Sequence, residues 1–468
     1  MSDISFIGSY SGVDQAMIDK LMQAERKPLV QMSNKKTSLL EKQNAWKDIN
    51  TRLDSLFEKI KVLQKPETFT SRKAKSTNED IVTMSPSKDA ANGTYKINIK
   101  QLATSTTIIG KKVLPEDKSI SDDLGFNGSF TIVNKDEVEA NIEVKAEDSL
   151  KDIVDKINAK TKDWKDENDE TVKGTGISAT IIDGRIVLTD EKTGARDIQL
   201  SGDIVGDLGL DTGKEIGQKA EFTINGVEVQ KDSNTVSDVI EGVTINLNKV
   251  HKDDEYDTVT VSLDTEKASK AVKDFVDQYN STMKFIEEKL DAGDPEKEVS
   301  AGTLCGDGSL MRLHSNLRMM VTDRIGNGDT NIRDISQLGV TTKDRFGELQ
   351  LDTGKLNKAL SEDPQNVMNF FMSKTEDGKE IGFVPRINEY VDSFISTKNG
   401  IIKEKNESYD KALKDLNRQI ENFNARMERK EKYYIKMFTA LDIAMMKSED
   451  QMSWLQNQVD SMNSIKRK

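Results

Sequence analysis

Two histidines, one cysteine and a glycine-rich loop are the residues of this chain whose types could do chemistry. His251 stands in KVHKDDEYD, and an imidazole among carboxylates is the composition of a metal or acid/base site. A solvated turn between Leu247 and Val259 accounts for the same residues. His314 shares a helical face with Leu310, Leu317 and Val321, the position of a packed or interfacial histidine. Neither lies in an HExxH or zinc-type spacing. Cys305, in AGTLCGDGSL, has no base beside it to make a thiolate. Gly302, Gly306 and Gly308 precede a helix start, as in a phosphate cradle, but Ser309 and Leu310 follow where a P-loop needs Lys then Ser or Thr. The acidic runs DKSISDD and HKDDEYD lack the ladder and closing Glu of a calcium loop. No convergent catalytic, metal or cofactor site can be assembled, so the reading is a non-enzyme without cofactor.

The elements that would hold such residues are more informative. The chain has 468 residues and 52.4 kDa, room for about three domains at ~150 residues each. Its composition, 35% apolar, 6% aromatic and 32% charged, is globular but polar. Residues 1–75 carry 14 basic against 9 acidic side chains and residues 401–468 carry 14 against 11, which leaves −21 in the middle of a chain of net charge −13. That block repels polyanions, so nucleic acid is not an expected partner. The single cysteine excludes an intrachain disulfide. MSDISFIGSYSGVDQAM has no Lys or Arg before Lys20 and no continuous apolar core, unlike a usual secretory signal. There is no run of 18 apolar residues for a membrane span.

The strongest pattern is C-terminal. Tyr409, Leu413, Leu416, Ile420, Phe423, Met427 and Tyr434 recur at spacings of three and four, with Lys430 on the seam, a coiled-coil signature. The seam resumes through Phe438, Leu441, Met445, Met452, Leu455, Val459 and Met462, with Ser448 between, after a four-residue shift that reads as a stutter. No Gly or Pro follows Gly400, so residues 401–462 are expected to be one helix of roughly 93 Å. A second seam, Met32, Leu39, Trp46, Ile49, Leu53, Leu56, Ile60 and Leu63, follows a helix at 13–27 that Pro28 interrupts, and ends near Pro66. The two stripes are expected to pair with each other or with copies of themselves, and to be unfinished in the isolated chain.

Between them the period becomes two. Tyr95, Ile97 and Ile99 alternate with lysines and asparagine, and Asp183-Gly184 and Asn225-Gly226 mark hairpins with type I′ turns. Strands are also expected around Val243–Leu247 and Val259–Leu263. One helix, with Leu150, Ile153, Val154 and Ile157 on a face, starts at Ser149 with Asp152 in the capping-box position. Trp164 reads as a ring folded over the local core or as a receptor contact, and the Met-rich stretch 437–462 as helix packing. Helical spacing returns from Thr265 through Leu290 and from Ser309 to Ile325.

The expected fold is α+β and multidomain: long helical, coiled-coil N- and C-terminal legs joined to a helical domain, with nested β-rich domains inserted in the middle of the chain. The segments are 1–65 as N-terminal leg, 66–84 with 265–400 as a helical domain carrying a small β-hairpin, 85–119 with 214–264 as a β-rich plate, 120–213 as an inserted outer α/β domain, and 401–468 as C-terminal leg.

SGVDQAMIDKLMQAERKPL, NGTYKINIKQLA, FTINGVEVQKDSNTVSDVIEGVTINL, GTLCGDGSLMRLHSNLR, DRFGELQLDTGKLNKALSEDPQNVMNFF and YYIKMFTALDIAMMKSEDQMSWLQNQV together resemble the filament-capping proteins of bacterial flagella, the hook-associated protein two family. The opening SYSGVD departs from the family's usual Gly-Ser-Gly-Leu-Asp. The resemblance implies secretion through the flagellar export apparatus with an export chaperone, an extracellular place at the filament tip, and a homo-oligomeric ring, expected here to be a pentamer although seam spacing does not fix its size. It implies contact with flagellin and the hook-filament junction proteins, and guidance of flagellin folding and insertion without covalent catalysis. The expected oligomer and filament interface is Leu39, Trp46, Leu53, Leu56 and Ile60 of the first seam with Leu413, Leu416, Ile420, Phe423, Met427, Tyr434, Phe438, Leu441, Met445, Met452, Leu455, Val459 and Met462 of the second. Two other readings share these features: another axial flagellar protein, such as a junction protein or flagellin, and an adhesin using region 120–213.

Overall fold

The computed structural model describes residues 11–166, 169–252, 255–326, 329–344, 346–374, 377–378 and 380–465. Side chains at 462–465, and with them the Met462 seam position, lie outside the described residues, as does the basic tail 466–468. The chain divides into two compact units, one of residues 69–267 and one made by the flanking segments 1–68 and 268–468.

Helices α1 (Gln15–Glu25) and α2 (Lys27–Leu63) open the chain. Asp14 caps α1 by accepting from the Met17 amide, and Pro28 sits in the first turn of α2, where its missing N–H costs nothing. The break between them is therefore the one Pro28 signals. A short helix α3 (Glu67–Thr70) leads to β1 (Arg72–Ser76), β2 (Val82–Pro86), β3 (Gly93–Gln101) and β4 (Ser105–Ile109). Next come β5 (Gly128–Val133), β6 (Glu139–Val144), α4 (Leu150–Asn158), and the short β7 (Trp164–Lys165) and β8 (Thr171–Val172). The unit continues with β9 (Ile177–Ile182), β10 (Arg185–Thr193), β11 (Gln199–Gly202) and β12 (Lys214–Glu215). It closes with β13 (Ala220–Ile224), β14 (Val227–Lys231), β15 (Thr235–Ile240), β16 (Val243–Leu247) and β17 (Asp257–Leu263).

These strands build two cores. The sheets β1-β17-β3-β13-β14 and β15-β16-β2 share the first, in which Ile97 and Ile99 meet Phe222, Ile245 and Val259. The second lies among β12-β4-β10-β9, β11-β5-β6 and α4, with Phe130, Ile142, Ile153, Ile186 and Leu208 inside. The predicted turns are present: Asp183 and Gly184 have φ of 49° and 71°, Asn225 and Gly226 of 50° and 86°. The Ser149–Asp152 capping box is also present, with the Asp152 amide donating to Ser149 Oγ at 3.2 Å and the Ser149 amide to Asp152 Oδ2 at 3.0 Å.

Two segments fall elsewhere than expected. Residues 66–84, expected in the helical domain, supply β1 and β2. β1 runs antiparallel to β17 from Arg72 opposite Leu263 to Ser76 opposite Val259, because Ala74 has to face the β-rich core. β4, expected in the plate, pairs with β10 and β12, since Ile108 belongs to the second core. Entry to and exit from that second core are adjacent: the Thr104 amide donates to Gln218 O at 3.0 Å, and the Gly217 amide to Thr106 Oγ1 at 2.9 Å.

The flanking unit continues with α5 (Thr265–Leu290), α6 (Gly308–Thr322), the hairpin β18 (Val340–Thr342) and β19 (Leu349–Leu351), α7 (Thr353–Glu362), α8 (Pro364–Met372), α9 (Phe383–Ile395) and α10 (Ile401–Ile465). α9, which the sequence reading did not single out, packs on α2, α6, α8 and α10. Phe383 on it stacks with Phe370 at 5.6 Å and meets Phe275 and Phe371 edge-on at 5.6 and 5.8 Å, geometries that suit the ring quadrupoles.

Candidate assembly surface

At 65 residues α10 is about 98 Å long, more than its own unit covers. Its first half is a core helix. Ile402, Leu413, Leu416, Phe423 and Met427 are buried, and so are Trp46, Ile49, Leu53, Leu56, Ile60 and Leu63 of α2, because α2 packs against both α9 and α10. The N-terminal seam, expected to be unfinished in isolation, is thus sheathed by the chain's own helices over 46–63. Leu39 and Ile420 are half-buried. Polar ties fix the register. Gln43 donates to Asp410 Oδ1 at 2.7 Å, and Lys405 pairs with Asp307 at 2.8 Å beneath the Trp46 ring. Burial alone would raise the Asp307 carboxyl. The Lys405 ammonium and the Leu310 and Ser309 amides outweigh it and hold the group below its ordinary range.

Further along, α1 folds back on α10. Ile18 and Met22 pack with Phe423 and Met427, flanked by Met32, Tyr434 and Phe438. Lys430 on the seam pairs with Glu25 at 2.6 Å, a hydrogen bond that raises the Lys430 ammonium above its ordinary value. Arg26 reaches Glu431 at 3.4 Å, and the Ser11 amide donates to the buried Asp442 at 2.7 Å. Beyond this point no other element among the described residues covers the seam. Leu441, Met445, Met452, Leu455 and Val459 are 43%, 41%, 66%, 52% and 53% exposed, and Trp454 beside them is 62% exposed. Apolar surface left in water costs about 25 cal/mol per Å², and a contiguous stripe of it marks an interaction site.

The polar candidates are occupied locally. The His251 side chain is buried and bonded to Asp257 at 3.1 Å. His314 lies 3.3 Å from Glu287. Cys305 is exposed in the turn before α6, and Asp307 there caps the helix, accepting from Ser309 at 2.9 Å and Leu310 at 3.2 Å. Trp164 is half-buried with Lys160 over its ring at 4.4 Å. Among the described residues no group of three His, Cys, Asp or Glu could hold a metal ion, and no helix is long and apolar enough to cross a membrane.

Three family models match: flagellar hook-associated protein 2 N-terminus over residues 11–106, its C-terminus over 217–450, and the flagellin hook IN motif over 129–192. The chain belongs to the flagellar hook-associated protein 2 family. Among curated family members, the B-type flagellar hook-associated protein 2 of Pseudomonas aeruginosa is 30% identical over 75% of each chain. The flagellar hook-associated protein 2 of Escherichia coli K12 is 28% identical over the whole of both. The crystal structure of the D1-D2-D3 domains of the Escherichia coli flagellar cap protein FliD superposes with a TM-score of 0.59 at 26% identity, covering 78% of this chain and 99% of that one. As a hook-associated protein 2 the chain is a filament-cap protein of the extracellular flagellum tip.

Proposed function

We propose that the chain works as a homo-oligomeric ring, with a pentamer as the expected form, seated on the filament through the far end of α10. The observation that carries this reading is the apolar stripe from Leu441 to Val459, left exposed by the described residues on a helix whose earlier seam positions Leu413, Leu416, Phe423 and Met427 are buried. A second copy or a filament subunit completes that stripe. Trp46, Leu53, Leu56, Ile60, Leu413, Leu416, Phe423 and Met427 then build the root of the leg, while Leu441, Met445, Met452, Leu455 and Val459 make the contacts. Leu39, Ile420, Tyr434 and Phe438 are half-buried, and of these Tyr434 and Phe438 lie between the two groups along α10.

In this reading the first β core and the nested second core form the plate and its outer domain, and α1, α2 and α10 form the legs. The partners are flagellin, the hook-filament junction proteins, the flagellar export apparatus and an export chaperone. The activity is guidance of flagellin folding and insertion without covalent catalysis. The test is filament growth in cells carrying Leu441→Asp with Leu455→Asp in place of the natural residues. Capping is expected to fail, with flagellin lost to the medium. Filaments of normal length would refute the role of the stripe.

A further inference from the structure

The His251 ring occupies the place of a strand. Beyond the Ile97–Asp257 pair the β3–β17 ladder ends, yet Ile99 keeps both of its backbone bonds. Its carbonyl accepts from the His251 amide at 2.9 Å, and its N–H donates to His251 Nδ1 at 2.9 Å. An amide N–H can only donate, so Nδ1 carries no proton and the ring is the neutral tautomer with its proton on Nε2. That Nε2–H donates to Asp257 Oδ2 at 3.1 Å. Asp257 is anchored in turn by the Thr77 hydroxyl at 2.6 Å, and that hydroxyl accepts from the Thr258 amide at 3.0 Å. The histidine side chain is 2% exposed.

We propose that His251 is an acid-sensitive latch on the β3 edge of the first β core: protonation of Nδ1 sets two N–H donors against each other and releases the Ile99 amide. The ring keeps its bond to Asp257 and loses the one to β3. Of the charged groups on the surrounding elements, Asp257 on β17 meets the ring. Lys96 on β3 lies over the Tyr256 ring at 5.0 Å, Lys100 pairs with Glu228 at 3.0 Å, and Lys249 pairs with Asp80 at 3.7 Å. Lys252 and Glu255 are on the histidine's own connection. Asn98, the neighbour of Ile99 on β3, donates to the Glu255 carbonyl, so Glu255 and Tyr256 are held next to the latch. These two line a shallow groove on the sheet with Lys96, Asn98, Thr223 and Asn225. Acid is expected to loosen that groove while the rest of the sheet stays paired.

Residue-resolved amide exchange and imidazole ¹⁵N shifts on the full chain test this between about pH 8 and about pH 5. The neutral ring should show a bare Nδ1 and a protonated Nε2. Ile99 exchange, corrected for its intrinsic pH dependence, should accelerate at least about tenfold relative to Tyr95 at the acid end of this range. His251→Gln, whose carbonyl oxygen accepts without titrating, should keep the Ile99-to-Tyr95 ratio flat, and His314→Gln should leave the wild-type titration in place. A proton on Nδ1 at neutral pH, or a wild-type ratio constant across the range, overturns the latch.

Discussion

The Asp307 carboxylate joins two helices that lie far apart in sequence: it caps the start of α6 through the Ser309 and Leu310 amides and holds the Lys405 ammonium of α10 at 3.0 and 2.8 Å. The glycine loop that could have been a phosphate cradle is instead the turn that presents this carboxylate. The root of α10 is pinned there, next to Trp46.

Asp307→Ala removes the cap and leaves Lys405 without its carboxylate. A cap is worth about 1 kcal/mol and a hydrogen bond to a charged group about 1.5–3 kcal/mol. Urea unfolding followed by Trp46 fluorescence should fall by about 2–4 kcal/mol. The Asp307 carboxyl titrates below its unfolded value of 3.8 in the native chain. Its contribution is therefore present above that pH and lost as pH falls through the lower folded value. The Ala variant should lose that acid dependence.

Arg196 is the counterpart in the second β core. It donates to Asp190 and Asp136, both at 2.8 Å, and Asp190 is buried. Arg196→Ala strands the Asp190 charge, a change that costs about 3–5 kcal/mol when a buried pair is broken on one side. Hydrogen bonds from Arg196 and Lys192 hold the Asp136 carboxyl at about 2. This part of the stability is complete above the ordinary 3.8 and fades as pH falls toward about 2. Trp164 fluorescence, with Trp46 and Trp454 replaced by Phe, reports this core.

Tyr279 gives the opposite sign. Its ring is buried, its hydroxyl finds no hydrogen-bond partner among the described residues, and burial pushes the hydroxyl's titration well up. A buried polar group without a partner costs about 1–3 kcal/mol. Tyr279→Phe should leave the melting temperature unchanged or raise it, whereas Tyr279→Ala should lower stability by about 3–5 kcal/mol.

The seam positions should separate into two classes. Phe423→Ala opens a cavity among Ile18, Met22 and Met427 and should destabilise the monomer by about 3–5 kcal/mol. Leu455→Ala, on the exposed half, should stay within about 0.5 kcal/mol in the monomer and weaken assembly instead. Calorimetry of the monomer and native mass of the assembled species read the two effects separately.

Much of this was legible from spacing. The heptad seams, the two Gly turns and the Ser149–Asp152 box are local signals, and each corresponds to an element in the structure. Long-range pairing was not legible. Nothing in RKAKS or STTII says that Ala74 faces one core and Ile108 another, because a strand's partner is set by the whole sheet. The interface shared this fate. Leu416 and Leu455 look alike along a seam, yet the first is buried in the part of the unit where other helices pack on α10 and the second is exposed. His251 was missed as a ladder surrogate because its partner, Ile99, lies 152 residues away.

The most direct measurement is amide exchange along α10 in the free chain and in the assembled cap. Exchange at Leu413–Met427 should be slow in both states. At Leu441–Val459 exchange should be fast in the monomer and at least about a hundredfold slower in the proposed assembly, as an exposed helix gains its partner. Equally slow exchange at Leu441–Val459 in the isolated monomer would contradict it.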